Sequence, residues 1–554
     1  MIKRMDGGVR SGITDSLFLL GAVLVSALPY IFGLGLYSDD WWTIPFLVRT
    51  SGEGFFPMLH QFIHAGSDLR LRPIRGLYLA LSFKAFGRQM LAYHVAGTIA
   101  LGIAAIFLYL ALRELLASRT TAFAIALVFA LLPHYSTDRV WFASHQATLC
   151  MLFAFAGVFA LLRLVRIDAR HSKAWAAVAV VSFGLSILSY EVAFGMIAAS
   201  LLVAAYLAYR NERVSLKRIL VGFAGIGALL AGIVLAKERA QTRIAYHHHF
   251  FAHFWALVGH AIAQAVQFNV WTYGLHMPAV LAGLYRHSAL TLAAYLVSAL
   301  LGCLVAAYLW CTLEPSSIPT RRASLRLIAC GFLIFALGYA LFLPGIEVNF
   351  STMGNANRIA IGSAPGAACV LVAFAGLLSS ICTSPVARTK VFGALIGLIC
   401  GVNCLVVDGI GYFWVDAARQ QAEIMRSVAA NVSSLPHGSL LLLDGVCRYS
   451  GPGIVFETDD TAGALQLAFE DFTLNGDVIS PNTHFDDASI DTTAYGELEE
   501  QYRYGNNVLV YNVPNKTLIR IPSKAAADGY LKKMNPTENS GCPAAREGDG
   551  AQVY

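Results

Sequence analysis

The sequence predicts an all-α polytopic membrane domain followed by a small α/β or α+β domain. Of the 554 residues, 57% are hydrophobic and only 13% are charged, whereas a soluble domain carries about a quarter charged residues. Residues 1–410 hold 30 Lys and Arg against 15 Asp and Glu, and residues 411–554 hold 10 against 19. Because the sign of the charge balance reverses near residue 410, we expect a membrane domain over 1–410 and a soluble domain over 411–554.

Eleven apolar segments predict helices that cross a bilayer, which takes about 20 apolar residues. They are residues 14–37, 91–112, 120–133, 147–162, 174–190, 192–209, 219–236, 288–312, 327–344, 359–381 and 391–410. Most of the basic residues between these segments fall on one side, which the positive-inside rule places in the cytoplasm. An odd number of spans then puts residues 411–554 outside, together with the loop that follows the first span.

This loop, residues 38–90 and here called the first loop, carries an unusual set of charges. Asp39 and Asp40 follow the first span directly and precede Trp41 and Trp42, which suit a membrane interface. The loop also holds six basic residues: Arg49, Arg70, Arg72, Arg75, Lys84 and Arg88. They could attract anionic headgroups, or they could bind the phosphate of a lipid carrier, since an arginine presents a planar donor fork. The Asp pair could serve chemistry or could only cap a helix that lies in the interface.

A family resemblance rests on this loop and the span after it. The acidic pair, the segment LRLRPIRGLYLALSFKAFG and the segment AYHVAGTIALGIAAIFLYLALREL resemble the GT-C superfamily. More closely, they resemble the protein O-mannosyltransferase-like and aminoarabinose-transferase-like membrane glycosyltransferases. The resemblance covers roughly residues 14–410 in topology, with specific matches at 39–40, 72–73 and 93–94. It implies a sugar donor carried on a polyprenyl phosphate, a catalytic first loop with one essential acid, and inversion at the sugar carbon.

Glycosyl transfer of this kind needs a base for the acceptor hydroxyl and cations for the departing phosphate. The sequence slightly favours Asp40 over Asp39 as the base. The candidates for contact with the substrate or its phosphate are Arg72, Arg75, Glu191, Lys237 and Arg358. Three of them have a plainer alternative: a structural ion pair for Glu191, a solvated loop for Lys237, and snorkelling to the interface for Arg358.

No metal or other cofactor is predicted. The run His247-His248-His249 with His253 contains no carboxylate, and an interfacial helix explains it better than a metal site. Some GT-C relatives nevertheless use a divalent ion, so dependence on a metal stays open. Cys447 and Cys542 are the two cysteines of the region 411–554, and an oxidising outer location permits a disulfide between them.

The sequence therefore predicts an integral membrane glycosyltransferase of GT-C type, in a bacterial cytoplasmic (inner) membrane with the C-terminal domain outside. Its partners would be a polyprenyl-phosphate-linked sugar, a glycan, lipid or protein acceptor, and the bilayer, with no nucleic acid. A lipid-linked glycan polymerase or ligase would share the same loop. A transporter or flippase should instead show charges at the membrane midplane and inverted repeats. A scaffold would not need the Asp pair.

Overall fold

The computed structural model describes residues 2–116, 118–166, 172–210, 266–312, 317–339, 351–457, 460–480, 483–494 and 497–534, together with a few positions between 227 and 264. Helices dominate as far as residue 431, and all described strands follow it. The predicted order, a helical membrane domain followed by a small domain with sheets, is confirmed.

The helices of the membrane domain fall into two runs along the chain. The first comprises α1 (Ile2–Ala27), α2 (Asp39–Thr50), α3 (Phe55–Ala65), α4 (Ser67–Leu71), α5 (Pro73–Phe86), α6 (Met90–Leu115), α7 (Arg119–Leu131), α8 (Thr137–Val140), α9 (His145–Arg166), α10 (Ser172–Ser189) and α11 (Phe194–Arg210). The second comprises a π-helix (Val266–Leu275), α12 (Met277–Arg286), α13 (Leu292–Thr312), α14 (Arg321–Tyr339), a 3-10 helix (Asn355–Gly362), α15 (Ala364–Ser379) and α16 (Pro385–Asn431).

Within the described residues, six of these helices are long and apolar enough to cross a membrane: α6, α9, α10, α13, α14 and α16. A seventh span would be the pair Asn355–Gly362 and Ala364–Ser379, which is bent by 69°. Three shorter apolar helices cover Gly12–Ala27, Arg119–Leu131 and Phe194–Arg210. Ten of the eleven predicted spans overlap one of these elements, and the segment 219–236 lies almost entirely outside the described residues. The first span, predicted over 14–37, is shorter than expected, because its α-helix ends at Ala27 and only the short 3-10 helix Ile31–Gly33 follows before Asp39.

Helix α7 shows why a short apolar segment can be a central element. Every residue from Thr120 to Leu131 is buried, and α1, α6, α15 and α16 all pack against the helix. A helix that is hydrophobic on all sides belongs inside a bundle. Two other helices, α13 and α16, pack closely because glycines face each other. A Cβ on Gly302 would come within 2.9 Å of the Gly397 carbonyl oxygen, so the two backbones are almost in contact.

A buried carboxylate ties four helices together at the end of the bundle that lies away from the first loop. Asp15 of α1 is 1% exposed. It accepts hydrogen bonds from Nε and Nη2 of Arg119, both at 2.7 Å, and from the hydroxyls of Tyr308, at 2.5 Å, and Tyr109. These partners stand on α7, α13 and α6. The cluster therefore fixes the mutual position of helices that are distant in sequence.

Replacing Asp15 by asparagine is expected to lower the free energy of unfolding by on the order of 3 kcal/mol, because Arg119 would lose its buried counter-charge. Thermal unfolding of the purified protein in detergent would measure the effect. Tyr308→Phe removes one hydrogen bond from the same carboxylate and leaves the ion pair, and it should cost only about 1 kcal/mol. Equal midpoints for the two variants would contradict an essential ion pair.

The C-terminal domain begins where α16 ends. Its elements are β1 (Leu440–Asp444), β2 (Tyr449–Ser450), β3 (Gly453–Ile454), α17 (Asp460–Phe469), β4 (Asn475–Val478), β5 (Thr483–Phe485), β6 (Ser489–Ala494), β7 (Glu497–Arg503), β8 (Val508–Asn512), β9 (Thr517–Arg520) and α18 (Lys524–Met534). The main sheet has the order β4-β1-β8-β9, with β1 parallel to both of its neighbours. Two smaller sheets are separate from it: an antiparallel β2-β3 pair and an antiparallel sheet of order β5-β6-β7.

The central strand β1 explains how this domain is joined to the rest. All five of its residues are buried, as expected for a strand covered on both faces. Leu441 and Leu443 belong to the hydrophobic core that continues into the membrane domain, whereas Leu440 and Leu442 pack into a separate core on the other face. Helix α16, with 47 residues, runs without a break through the expected boundary at residue 410 and is about 70 Å long at 1.5 Å per residue. The C-terminal domain is thus packed onto the membrane domain.

Candidate functional site

The first loop folds into helices α2 to α5, and α2 carries the Asp pair in its first turn. Carboxylates are favoured at that position because the N–H groups of a helix start make it electropositive. The preceding residue, Ser38, has φ 45° and ψ −126°, a backbone conformation that costs a residue other than glycine about 1–3 kcal/mol. Trp42 of α2 stacks on the buried Phe62 of α3, with ring centroids 5.7 Å apart. The start of α2 is therefore held in one arrangement.

Asp40 is completely buried, and its carboxylate accepts hydrogen bonds from two backbone N–H groups. Its Oδ2 accepts a hydrogen bond from the Tyr37 N–H at 3.1 Å, and its Oδ1 accepts one from the Ala143 N–H at 2.8 Å. Burial raises the pKa of Asp40 well above its ordinary value, against the effect of these two bonds. Both carboxylate oxygens are engaged, so this side chain joins α2 to the turn before α9.

Asp40→Ala is expected to destabilise the protein by about 1–3 kcal/mol for each of the two buried N–H groups that it leaves unpaired. Asp40→Asn should be milder, because the amide keeps one acceptor and removes a charge from a buried position. Thermal unfolding of both variants in detergent would give the comparison. A midpoint for the alanine variant that equals the wild type would show that the two N–H groups find other partners.

Asp39 has the opposite environment. About half of its side chain is exposed, and its Oδ2 lies 2.8 Å from Nη2 of Arg75. The Arg75 side chain is only 4% exposed, and its other terminal nitrogen binds Asp68. Desolvation works to raise the pKa of Asp39, but Arg75, Arg358 and Arg72 together hold it below its ordinary value of 3.8. Asp39 is therefore an ionised, accessible carboxylate, and the buried Arg75 orients it through their ion pair.

Arg72 and Glu191 come together as an ion pair at 3.2 Å, with each side chain about one quarter exposed. The guanidinium of Arg72 also lies 4.5 Å from the centre of the Tyr190 ring. This pair fastens the first loop to the link between α10 and α11. The arrangement is the structural ion pair considered above as the alternative for Glu191, and contact of either residue with substrate stays a prediction.

Arg358 stands near Asp39 on a different element, the 3-10 helix Asn355–Gly362. Its guanidinium lies 4.8 Å from the centre of the Trp141 ring, and its Nη1 donates to Oδ1 of Asn355 at 2.8 Å. Its charge helps to hold the pKa of Asp39 below its ordinary value, and it opposes the burial that raises the pKa of Asp138. Among the described residues, no carboxylate oxygen comes within 4 Å of its nitrogens. Arg358 is therefore a held, partly exposed cation that can take an anionic ligand.

The C-terminal domain contributes a carboxylate that sequence reasoning missed. Glu457 accepts a hydrogen bond from the Ser38 hydroxyl at 3.2 Å through Oε2 and one from the Tyr449 hydroxyl at 2.5 Å through Oε1. Burial raises its pKa, and the negative charge of Asp39 acts in the same direction. The sequence around Glu457 gave no signal, since no motif marks it and its partner Ser38 lies 419 positions earlier.

For several predicted site residues the structure gives no position. Lys237 and the histidine run at 247–249 and 253 lie outside the described residues. In the part of the chain that is described, no group of three His, Cys, Asp or Glu side chains could hold a metal ion; metal dependence stays open. Cys447 is disulfide-bonded, and Cys542 lies outside the described residues.

Comparison with known proteins finds a likeness to solved structures but none to a known sequence family. No family model matches the chain, and no curated protein matches it. A similar solved structure is the oligosaccharyltransferase of Archaeoglobus fulgidus in complex with zinc and sulfate, with 15% sequence identity and a TM-score of 0.41. The match covers 82% of this chain, which spans 61% of the length of that enzyme. Because a TM-score below 0.5 does not establish a function, we infer function from the residues of the site.

Proposed function

We propose that the protein is an integral membrane glycosyltransferase of GT-C type that moves a sugar from a polyprenyl-phosphate carrier to a hydroxyl of a glycan, lipid or protein acceptor. The observation that supports this most is the placement of Asp39 and Arg358. An accessible, ionised carboxylate stands near a cation that has no carboxylate partner among the described residues. A base and an anion-binding cation are the two groups that this transfer requires.

In the proposed reaction, Asp39 accepts the proton of the acceptor hydroxyl while the hydroxyl oxygen attacks the anomeric carbon of the sugar. The bond from that carbon to the phosphate oxygen breaks on the opposite face, so the configuration inverts. The carrier phosphate leaves with the bonding electron pair, and Arg358 stabilises its charge. We assign the base to Asp39 rather than to Asp40, which the sequence favoured, because both oxygens of Asp40 are held by backbone N–H groups.

The remaining candidates take supporting roles in this proposal. Arg75 orients Asp39 through their ion pair. Arg72 and Glu191, which form an ion pair, would contact the donor, and Lys237 would supply a second cation, a role that rests on the sequence alone. The first loop and the C-terminal domain share one face of the membrane, since Ser38 and Glu457 are in contact. We place that face outside the cytoplasmic membrane of a bacterium.

The proposal is tested by transfer assays on the full-length protein in lipid nanodiscs. A panel of radiolabelled polyprenyl-phosphate sugars would be supplied, with an extract of membranes as the source of acceptors. We expect one donor to be consumed by the wild type and spared by Asp39→Asn. If only lipid-linked oligosaccharides are consumed, the protein is a glycan ligase or polymerase that uses the same site. Consumption of no donor above the level of Asp39→Asn would overturn the proposal.

The pH dependence of transfer follows from the lowered pKa of Asp39. A base is active in its ionised form, and a carboxylate with a pKa below 3.8 stays ionised until the pH falls through that lower value. We therefore expect kcat/KM to lack a limb attributable to Asp39 between pH 8 and pH 5. A loss of kcat/KM over this range that Asp39→Glu displaces would contradict the lowered pKa.

A further inference from the structure

Four of the described contacts link the segment that carries the candidate base to the C-terminal domain, one of them through α16. Gln421 of α16 donates to the Leu36 carbonyl oxygen at 3.0 Å and to the Val455 carbonyl oxygen at 2.7 Å. At Gly463 of α17 there is no room for a side chain, because a Cβ would lie 1.9 Å from the Trp41 carbonyl oxygen. The centres of the Trp41 and Phe456 rings are 6.3 Å apart. The fourth contact joins Ser38 to Glu457.

The contact at Ser38 differs from the other three because it falls on a strained residue. The φ of 45° at Ser38 is a conformation that L-residues seldom adopt, and such conformations persist only where the surrounding structure holds them. The hydroxyl of this residue is bound by Glu457 at 3.2 Å. The other carboxylate oxygen of Glu457 accepts a hydrogen bond from Tyr449 and takes no part in the contact with Ser38. Asp39 is the next residue along the chain, so the backbone angles of Ser38 determine the direction in which its carboxylate points.

We propose that Glu457 is a positioning residue for Asp39, and that the C-terminal domain acts on the membrane site through it. The Glu457 carboxylate binds the Ser38 hydroxyl and holds Ser38 at positive φ. Without this tether, the start of α2 relaxes toward an ordinary φ and the carboxylate of Asp39 moves away from Arg75. The effect on the segment is independent of the reaction, whereas its effect on catalysis rests on the proposed function.

The first test measures hydrogen exchange of residues 36–43 by mass spectrometry on the full-length protein, and it does not require activity. Glu457→Ala is expected to speed exchange in this segment. Glu457→Gln should keep wild-type exchange, since the amide can accept from Ser38 and donate to Tyr449. Tyr449→Phe, the matched control, removes the other hydrogen bond of Glu457 and should leave the segment protected. Faster exchange confined to the C-terminal domain in Glu457→Ala would overturn the proposal.

Variants at Ser38 separate the tether from backbone strain. Ser38→Ala loses the hydroxyl but must still adopt positive φ, whereas Ser38→Gly loses the hydroxyl and adopts that φ freely. We therefore expect faster exchange in the alanine variant than in the glycine variant. Adding Glu457→Ala to Ser38→Gly should have no further effect, because the two side chains act as one unit. Full additivity of the two changes would show that Glu457 acts elsewhere and would overturn the proposal.

The kinetic test applies the same variants to sugar transfer. Glu457→Ala should lower kcat by up to about 10²-fold, the loss that a misplacement near 1 Å can produce, and should leave KM for the donor little changed. Glu457→Gln should rescue most of the rate. A lower kcat/KM that arises from KM alone would overturn the assignment of Glu457 as a positioning residue. If the wild type transfers no sugar while the exchange results hold, the proposed function fails and the tether stands.

Discussion

Asp39→Asn is expected to reduce the rate of sugar transfer by about 10²–10⁴-fold, the usual contribution of a general base. The amide has nearly the shape of the carboxylate but cannot take a proton from the acceptor. Folding should survive, because Asp39 is half exposed and the buried Arg75 keeps its bond to Asp68. Transfer by the purified variant, with its thermal midpoint measured in parallel, would check both statements.

Asp68→Asn is the matched control for this prediction. Asp68 is as exposed as Asp39, with 48% of the side chain accessible, and it binds the other terminal nitrogen of the same Arg75. The two variants lose the same charge from the same partner. If Asp39 matters only because it neutralises Arg75, the two variants should lose activity equally. A collapse confined to Asp39→Asn would identify the base.

Arg358→Gln should lower kcat by about 10²–10³-fold, which is the typical cost of removing one group that stabilises developing negative charge. Arg358→Lys should be intermediate, since a lysine keeps the charge but loses the planar fork that lies over Trp141. Rates measured at saturating donor would separate loss of catalysis from loss of binding.

Arg49→Gln is the matched control for the arginine. Arg49 also lies over an aromatic ring, with its guanidinium 5.1 Å from the centre of the Phe46 ring, but it is exposed at the end of α2. Its removal takes one positive charge from the first loop and should change kcat little. Equal losses in both variants would assign the effect to the general attraction of a basic surface for anionic lipid.

The sequence was sufficient for the features that depend on local composition. Long uncharged runs indicate membrane helices whatever their partners, and an acidic pair after the first span marked the loop that carries the candidate site. Even the short segment at 120–133 corresponds to a helix, α7, because its apolar residues cover all sides.

The roles within the Asp pair could not be predicted in the same way. Adjacent residues have the same local sequence context, and their difference arises from distant groups. Asp40 is buried and accepts a hydrogen bond from the N–H of Ala143, which is 103 positions away in the sequence. Asp39 is ionised because Arg75 and Arg358, on two other elements, help to hold its pKa below its ordinary value. Glu457 is the most distant example, since its partner Ser38 lies 419 positions earlier in the sequence.

The length of α16 has a consequence for the environment in which the protein works. This single helix crosses the membrane domain and carries Gln421, whose side chain donates a hydrogen bond to the Leu36 carbonyl oxygen just before the Asp pair. A helix whose apolar part does not match the hydrocarbon thickness around it tilts to compensate. Tilting this helix would displace Gln421 and with it the start of α2. The geometry of the site should therefore depend on the thickness of the surrounding lipid as well as on the residues that line it.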